Sequence, residues 1–265
     1  MSEPEPSSAG PVGPSAPVED ASVGAGTPRE RRHVLGPVAV VGAMREEVAR
    51  LHDALEEPRA VHRGPLTFYA GRLEGVDVLL ARCGIGKVNA AVTAQTLLLE
   101  GARSLVFTGV AGALSPELRV GDVVVSTDAV QHDVDVGPLG YAPGEVPGSG
   151  LAWEADAALR EAATAAAEEV TDVRVFAGRV ASADRFVADP AVAADLRRRF
   201  GAACAEMEGA AVAQVCARWE VPFVIVRSIS DTADHAAGVD FRSFTELAAS
   251  RAEGVVRGLL RRLGR

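Results

Sequence analysis

The chain has 265 residues, of which 48% are hydrophobic, 24% charged and only 5% aromatic, with a net charge of −9. The length allows one or two domains. The acidic balance excludes a nucleic-acid groove or docking on anionic lipid, since both need a basic surface.

Residues 1–33 are rich in Pro, Ser, Gly and Ala, and beyond alanine and Met1 their apolar side chains are Val12, Val18 and Val23. Such a stretch cannot bury enough surface to offset its ordering entropy. A disordered tail is expected over 1–33 and a single folded domain over 34–265. Glu3, Glu5, Glu19 and Asp20 argue against a transit peptide, and no basic segment followed by an apolar one marks a secretory leader.

Residues 37–43 form a β-branched, apolar run, as in a strand covered on both faces. A helix is expected over 45–57, where Val48, Leu51 and Leu55 recur at helical spacing. Strands follow over 67–70 and 76–82, then a helix over 87–100. A strand over 104–108 is predicted to end in Gly109-Val110-Ala111-Gly112, with another strand over 122–127. Three prolines and four glycines make 138–150 a loop. An Ala-rich helix is expected over 153–169, then a strand over 173–181. A helix over 190–200 has Pro190 in its first turn, where the missing N–H does no harm. A short strand over 203–206, a helix over 209–219, a strand over 222–229 and a long helix over 241–260 complete the chain. This alternation predicts an α/β domain of three layers: a mixed, largely parallel central sheet flanked by helices. Ligands in such folds bind beyond the carboxyl ends of strands.

No apolar run reaches the roughly 18–20 residues that span a bilayer, so no membrane partner is expected. The three cysteines, Cys83, Cys204 and Cys216, form no CxxC pair. That sparse, odd count fits thiols in a reducing cytoplasm better than a disulfide framework.

Five groups have the composition of a site, and each has a simpler alternative. Gly84-Ile85-Gly86-Lys87 opens a helix after a strand. Asn89 stands where a dinucleotide fingerprint needs its third glycine, so a tight turn is favoured and no cofactor is expected. Gly109-Val110-Ala111-Gly112 allows close backbone approach to a ligand, or simply a turn. Glu206-Met207-Glu208 places both acids on one side of a strand, unless Glu208 starts the next helix and acts as a cap. Asp231 ends the strand carrying Arg227, Ser228 and Ser230. It either caps a turn or, in a partly dry cleft, serves as an acid. His132-Asp133-Val134-Asp135 lacks a second ligand cluster, so a solvated loop is favoured and no metal is expected.

In chain order, five segments resemble the 5′-methylthioadenosine/S-adenosylhomocysteine nucleosidase family of the purine-nucleoside phosphorylase superfamily. They are VGAMREEV (41–48), GIGKVNAA (84–91), VGDVVVS with HDVD (120–126 and 132–135), EME (206–208) and VPFVIVRSISDTAD (221–234). The resemblance covers nearly all of the expected domain and implies a nucleoside-phosphorylase-like catalytic domain that releases adenine hydrolytically. It implies that Asp231 protonates the leaving adenine at N7, that Glu208 binds the ribose hydroxyls, and that Glu47 activates the attacking water. It places Met207 against the sugar, Phe186 and Val187 on the adenine, Ser230 beside Asp231, and Arg227 near the water. Met44, Val136, Tyr141 and Phe241 can line an apolar pocket for the 5′ substituent. The partner expected is a small nucleoside, and the resemblance implies a homodimer whose second copy completes that pocket.

Two carboxylates in the first loop, Glu46 and Glu47, would repel phosphate and favour hydrolysis, although Arg45 beside them works the other way. Val110 stands where many family members carry a hydroxyl, and Leu139 where an aromatic often lines the alkylthio pocket. These departures bear on substrate choice more than on reaction type. The rivals are a futalosine-type hydrolase of menaquinone synthesis, a purine nucleoside phosphorylase, and a non-catalytic nucleoside-binding module.

Overall fold

The computed structural model describes residues 36–233 and 237–264, so the tail expected over 1–33 lies outside the described residues. Strand β1 (Val38–Gly42) is buried throughout. Its alternate side chains feed two separate cores: Val38 and Val40 on one face, Ala39 and Val41 on the other. Helix α1 (Arg45–Asp53) follows. It ends before residue 57, where the sequence predicts it to stop. Residues from Glu56 belong instead to β2 (Glu56–Arg63). This strand escapes sequence reading because it is an edge: only Val61 is buried, so no apolar alternation marks it. Its irregular start, with Glu57 at a φ of 51° followed by Pro58, is tolerated where no neighbour needs the missing N–H.

Strands β3 (Leu66–Leu73) and β4 (Val76–Arg82) complete an antiparallel meander. Helix α2 (Lys87–Leu99) leads to β5 (Ser104–Ala113). The latter does not end at Thr108. Gly109 through Gly112 continue the strand, because each pairs in parallel with the partner strand β10 (Phe223–Asp231). Strand β6 (Val123–Gln131) precedes a segment containing one 3₁₀ turn, Gly137–Leu139. The helix expected over 153–169 is shorter. Trp153–Glu154 forms strand β7 against β6, and α3 (Ala157–Glu168) starts after Asp156, whose carboxylate accepts the Leu159 N–H at 3.0 Å. That N-cap fixes the boundary. The remaining elements are β8 (Val175–Ser182), α4 (Pro190–Phe200), β9 (Ala202–Glu206), α5 (Gly209–Arg218) and α6 (Ala237–Leu263).

The ten strands form one mixed sheet. Its centre, β4–β1–β5–β10, is parallel. Strands β10, β6, β8 and β9 then curl round until β9 meets β5 at Gly112, closing a ring. Helices α1, α3 and α6 cover one face through Leu51, Leu159 and Leu259, and α2 and α5 cover the other through Leu97 and Val212. This is the layered α/β architecture expected from the alternation. The carboxyl ends of β1, β5, β9 and β10 therefore converge, together with the amino termini of α1, α2 and α5.

Candidate active site

The turn from β1 into α1 brings Glu47 back over its own helix start. Its Oε2 accepts the N–H groups of Ala43 (2.7 Å) and Met44 (2.8 Å), and its Oε1 accepts the Val110 N–H from β5 (3.0 Å). The reach toward Met44 is the half of a capping box that an acid at the third helical position supplies. The bond to Val110 lies outside any cap. Burial raises the pKa of Glu47, against the attraction of Arg227 and these three N–H groups. Arg45 and Glu46 are both exposed, so of the two adjacent acids only Glu47 faces inward. This corrects the expectation of a carboxylate pair and removes Arg45 from consideration.

Arg227 on β10 is 1% exposed. Its guanidinium stacks over Phe107 at 4.3 Å and donates from Nη2 to Glu206 at 2.6 Å. Burial works against the cation, but Glu206, Glu47 and Glu208 around it hold its pKa above the ordinary value. Its Nε and Nη1 are buried and have no hydrogen-bond partner among the described residues. Unpaired buried donors are costly, so this end of the guanidinium suits a polar ligand.

The two acids of Glu206-Met207-Glu208 separate in function. Glu206 ends β9 as a clamp, accepting the Ser182 hydroxyl and the N–H groups of Glu208 (3.1 Å) and Gly209 (2.8 Å), besides Arg227. Glu208 stands at the start of α5 but makes no cap bond to that helix. Its Oε1 instead accepts the Gly86 N–H at the start of α2, 2.7 Å away. Burial first, then the neighbouring Glu206, push its pKa up to about 8. Met207 between them is half-buried.

Asp231, the last residue of β10, is 1% exposed. The Ser230 hydroxyl donates to its Oδ2 at 2.8 Å and the Ala233 N–H to its Oδ1 at 2.9 Å. Gly112 makes room for it, since a β-carbon there would lie 2.8 Å from Oδ1. Phe186 is 47% exposed and meets Phe241 edge to face at 5.8 Å. Val187 turns into the cluster of α4, with Leu196 and Phe200.

Direct bonds thus join Met44, Glu47 and Val110 in one group and Arg227 and Glu206 in another, and the charges of Glu47 and Glu208 both act on Arg227. The pairs Ser230–Asp231 and Phe186–Phe241 are also formed. Val136 is half-buried beside the 3₁₀ turn, and Leu139 in that turn is 74% exposed. Asp133 is engaged with Lys87, and among the described residues no group of three or more His, Cys, Asp or Glu is placed to hold a metal ion. Sequence reasoning missed the clamp made by Glu206 and the amide of Gly86. It also missed Gly109 as the contact point of two charged side chains, although a glycine inside a strand signals close approach.

A family model described as the phosphorylase superfamily matches residues 37–261. The 5′-methylthioadenosine/S-adenosylhomocysteine nucleosidase of Geobacillus thermodenitrificans strain NG80-2 is 45% identical over 225 residues, 84% of this chain and 95% of that protein. The crystal structure of the Neisseria meningitidis enzyme of the same name, in complex with methylthio-immucillin-A, matches with a TM-score of 0.83 at 41% identity, covering 86% of this chain and all of that one. A futalosine hydrolase mutant of Helicobacter pylori matches with a TM-score of 0.82 at 31% identity, covering 85% and 99%.

Proposed function

Since this chain belongs to the phosphorylase superfamily and, within it, to the 5′-methylthioadenosine/S-adenosylhomocysteine nucleosidase family, we propose that it hydrolyses the N-glycosidic bond of those two nucleosides and releases adenine. The observation that carries hydrolysis is the meeting of the buried Glu47 carboxylate with the unpartnered donors of Arg227. A water between them would give a proton to Glu47 and be oriented by the guanidinium. Burial raises the pKa of this carboxylate, which makes it a stronger base toward that water than an ordinary glutamate. A phosphate dianion at the same place would face a buried carboxylate held by three amides.

In the proposed reaction Asp231 passes its proton to adenine N7, making the base a competent leaving group. The C1′–N9 bond breaks through an oxocarbenium-like state, as in inverting glycosidases. Glu208 accepts hydrogen bonds from the ribose hydroxyls, which strengthen as positive charge grows on the ring, and Met207 packs against the sugar. The water oxygen bonds to C1′ as Glu47 takes its proton; Glu47 then releases that proton to solvent, and solvent returns one to Asp231. Phe186 stacks on the base and the backbone at Val187, whose side chain is buried against α4, binds it, while Ser230 keeps Asp231 oriented. Met44, Val136 and Phe241 line the 5′ pocket.

The proposal includes a homodimer, supported by an apolar stripe on α2 at helical spacing, Val88 (73% exposed), Val92 and Leu99. It also includes a cytoplasmic setting, supported by three free thiols.

The test is a panel of methylthioadenosine, S-adenosylhomocysteine, aminofutalosine and inosine, each with and without phosphate. Adenine release from the first two without phosphate is expected. Strict phosphate dependence would show a phosphorylase. Preference for aminofutalosine would favour the function named for the Helicobacter neighbour, a rival kept open by the departures at Leu139 and Val110. Binding without turnover would leave a non-catalytic module.

A further inference from the structure

We propose that Lys87 is a positioning residue that locks the ribose and base subsites together at the start of α2. The Lys87 ammonium donates to Asp133 Oδ1 at 2.6 Å and to Gln131 Oε1 at 3.1 Å. The other oxygen of Asp133 accepts the Asp184 N–H at 3.2 Å. The Asp184 carboxylate in turn accepts the backbone N–H of Lys87 at 2.8 Å. These bonds form a closed ring through three segments far apart in sequence.

The ring sits where the proposed chemistry needs rigidity. Gly86, one residue before Lys87, gives its N–H to Glu208, the acid assigned to the ribose. Phe186, two residues after Asp184, is the side chain assigned to the base. The first amides of α2 therefore receive one carboxylate from each subsite, an arrangement favoured by the partial positive charge of a helix start. Gly86 leaves little room for anything else, as a β-carbon there would lie 3.1 Å from Asp184 Oδ1. Gln131 continues the network to Gln214 on α5 at 2.6 Å, and Gln214 to Ser149 at 3.1 Å. An exposed ion pair contributes little, but the Lys87 side chain is 16% exposed and fixes a loop that no strand pairing holds.

This role presupposes the nucleosidase function above, so the test separates the two by measuring adenine binding directly as well as turnover. Lys87→Ala is expected to raise KM for methylthioadenosine and Kd for adenine together, by about ten-fold, with kcat changed by less than about three-fold. Lys87→Arg, which keeps a cation within reach of Asp133, is expected to recover most of the loss. Asp133→Asn combined with Lys87→Ala is expected to do no more harm than either change alone, because both break one ring. Adenine affinity and KM within about two-fold of the parent in folded Lys87→Ala would overturn the assignment. So would a lower melting temperature as its only effect, or additive losses in the double variant. If Lys87→Ala does not fold, Asp133→Asn carries the same measurements, and failure of both to fold would assign the ring to stability alone. A parent that binds adenine but cleaves no nucleoside would instead defeat the proposed function.

Discussion

The guanidinium of Arg227 and the carboxylate of Glu47 converge on Gly109: a β-carbon there would fall 2.3 Å from both Arg227 Nη1 and Glu47 Oε1. Neither group is the free end of a flexible chain, since Glu47 is held by three amides and Arg227 by Glu206 and Phe107. Gly109→Ala is therefore expected to displace one of the two. Overpacking of this kind costs about 1–3 kcal/mol, and loss of the water-holding geometry is expected to lower kcat by at least about 10²-fold. Steady-state kinetics on the folded variant check this. Near-parental kcat would show that the space over Gly109 is not where the nucleophile is prepared.

Asp231→Asn keeps the shape of the side chain and an oxygen for the Ala233 N–H, but removes the proton assigned to adenine N7. A fall in kcat of at least about 10²-fold is expected, the usual scale for losing a general acid, with adenine affinity largely retained. Glu47→Gln is expected to behave alike, because the amide still accepts one set of N–H bonds but cannot take a proton from water. Calorimetric binding of adenine beside turnover separates the outcomes. Weakened binding with normal kcat in either variant would assign that residue to recognition instead.

These side chains were legible in the sequence to different depths. Asp231 and Glu208 stand out because acids follow apolar strand patterns, and β10 carries its signal in an unbroken run of buried residues. Glu47 is legible too, but the sequence does not separate it from its neighbour Glu46, since helix phase at a first turn is invisible before the cap is known. For Glu206 and Glu208 the sequence leaves strand alternation and a helix start at Glu208 equally open; in the structure the chain leaves β9 at Glu206, and the two carboxylates bond to different elements. Strand β2 has no apolar pattern to read, and the glycines of β5 read equally as a turn or a close approach, because what they accommodate comes from α1 and β10. Local periodicity identified the layers. The contacts across 97 and 122 positions, Lys87 to Asp184 and Gly86 to Glu208, leave no local trace.

The Arg227–Glu206 pair is buried on both sides, with 1% and 3% of the side chains exposed. Removing one partner of such a pair leaves an uncompensated charge, at a cost of about 3–5 kcal/mol. Arg227→Leu is expected to lower the melting temperature by about 10 °C in a domain of this size. Adding Glu206→Gln is expected to recover part of it, because the stranded carboxylate is then neutral. Thermal denaturation followed by circular dichroism measures both. Additive destabilisation would mean that Glu206 is sufficiently held by Ser182 and the amides of α5 without its cation.

Glu208 gives the fold a pH dependence whose sign follows from its environment. Burial and the neighbouring Glu206 raise its pKa from 4.5 to about 8 in the folded protein, against the opposing pull of Arg227 and the Gly86 N–H. In the unfolded chain the group ionises near its ordinary value. Between those two values the folded state binds more protons than the unfolded one, so stability falls as pH rises. The favourable contribution is fully present below about pH 4.5 and is lost on passing through about pH 8. Glu208→Gln removes this proton uptake while keeping an acceptor for Gly86. Its melting temperature is expected to decline less than the parent's between about pH 5 and about pH 9. A residual slope is expected from Glu47, whose pKa is raised as well. If parent and variant decline in parallel across that range, Glu208 is not the group that titrates, and its burial is offset by partners other than a bound proton.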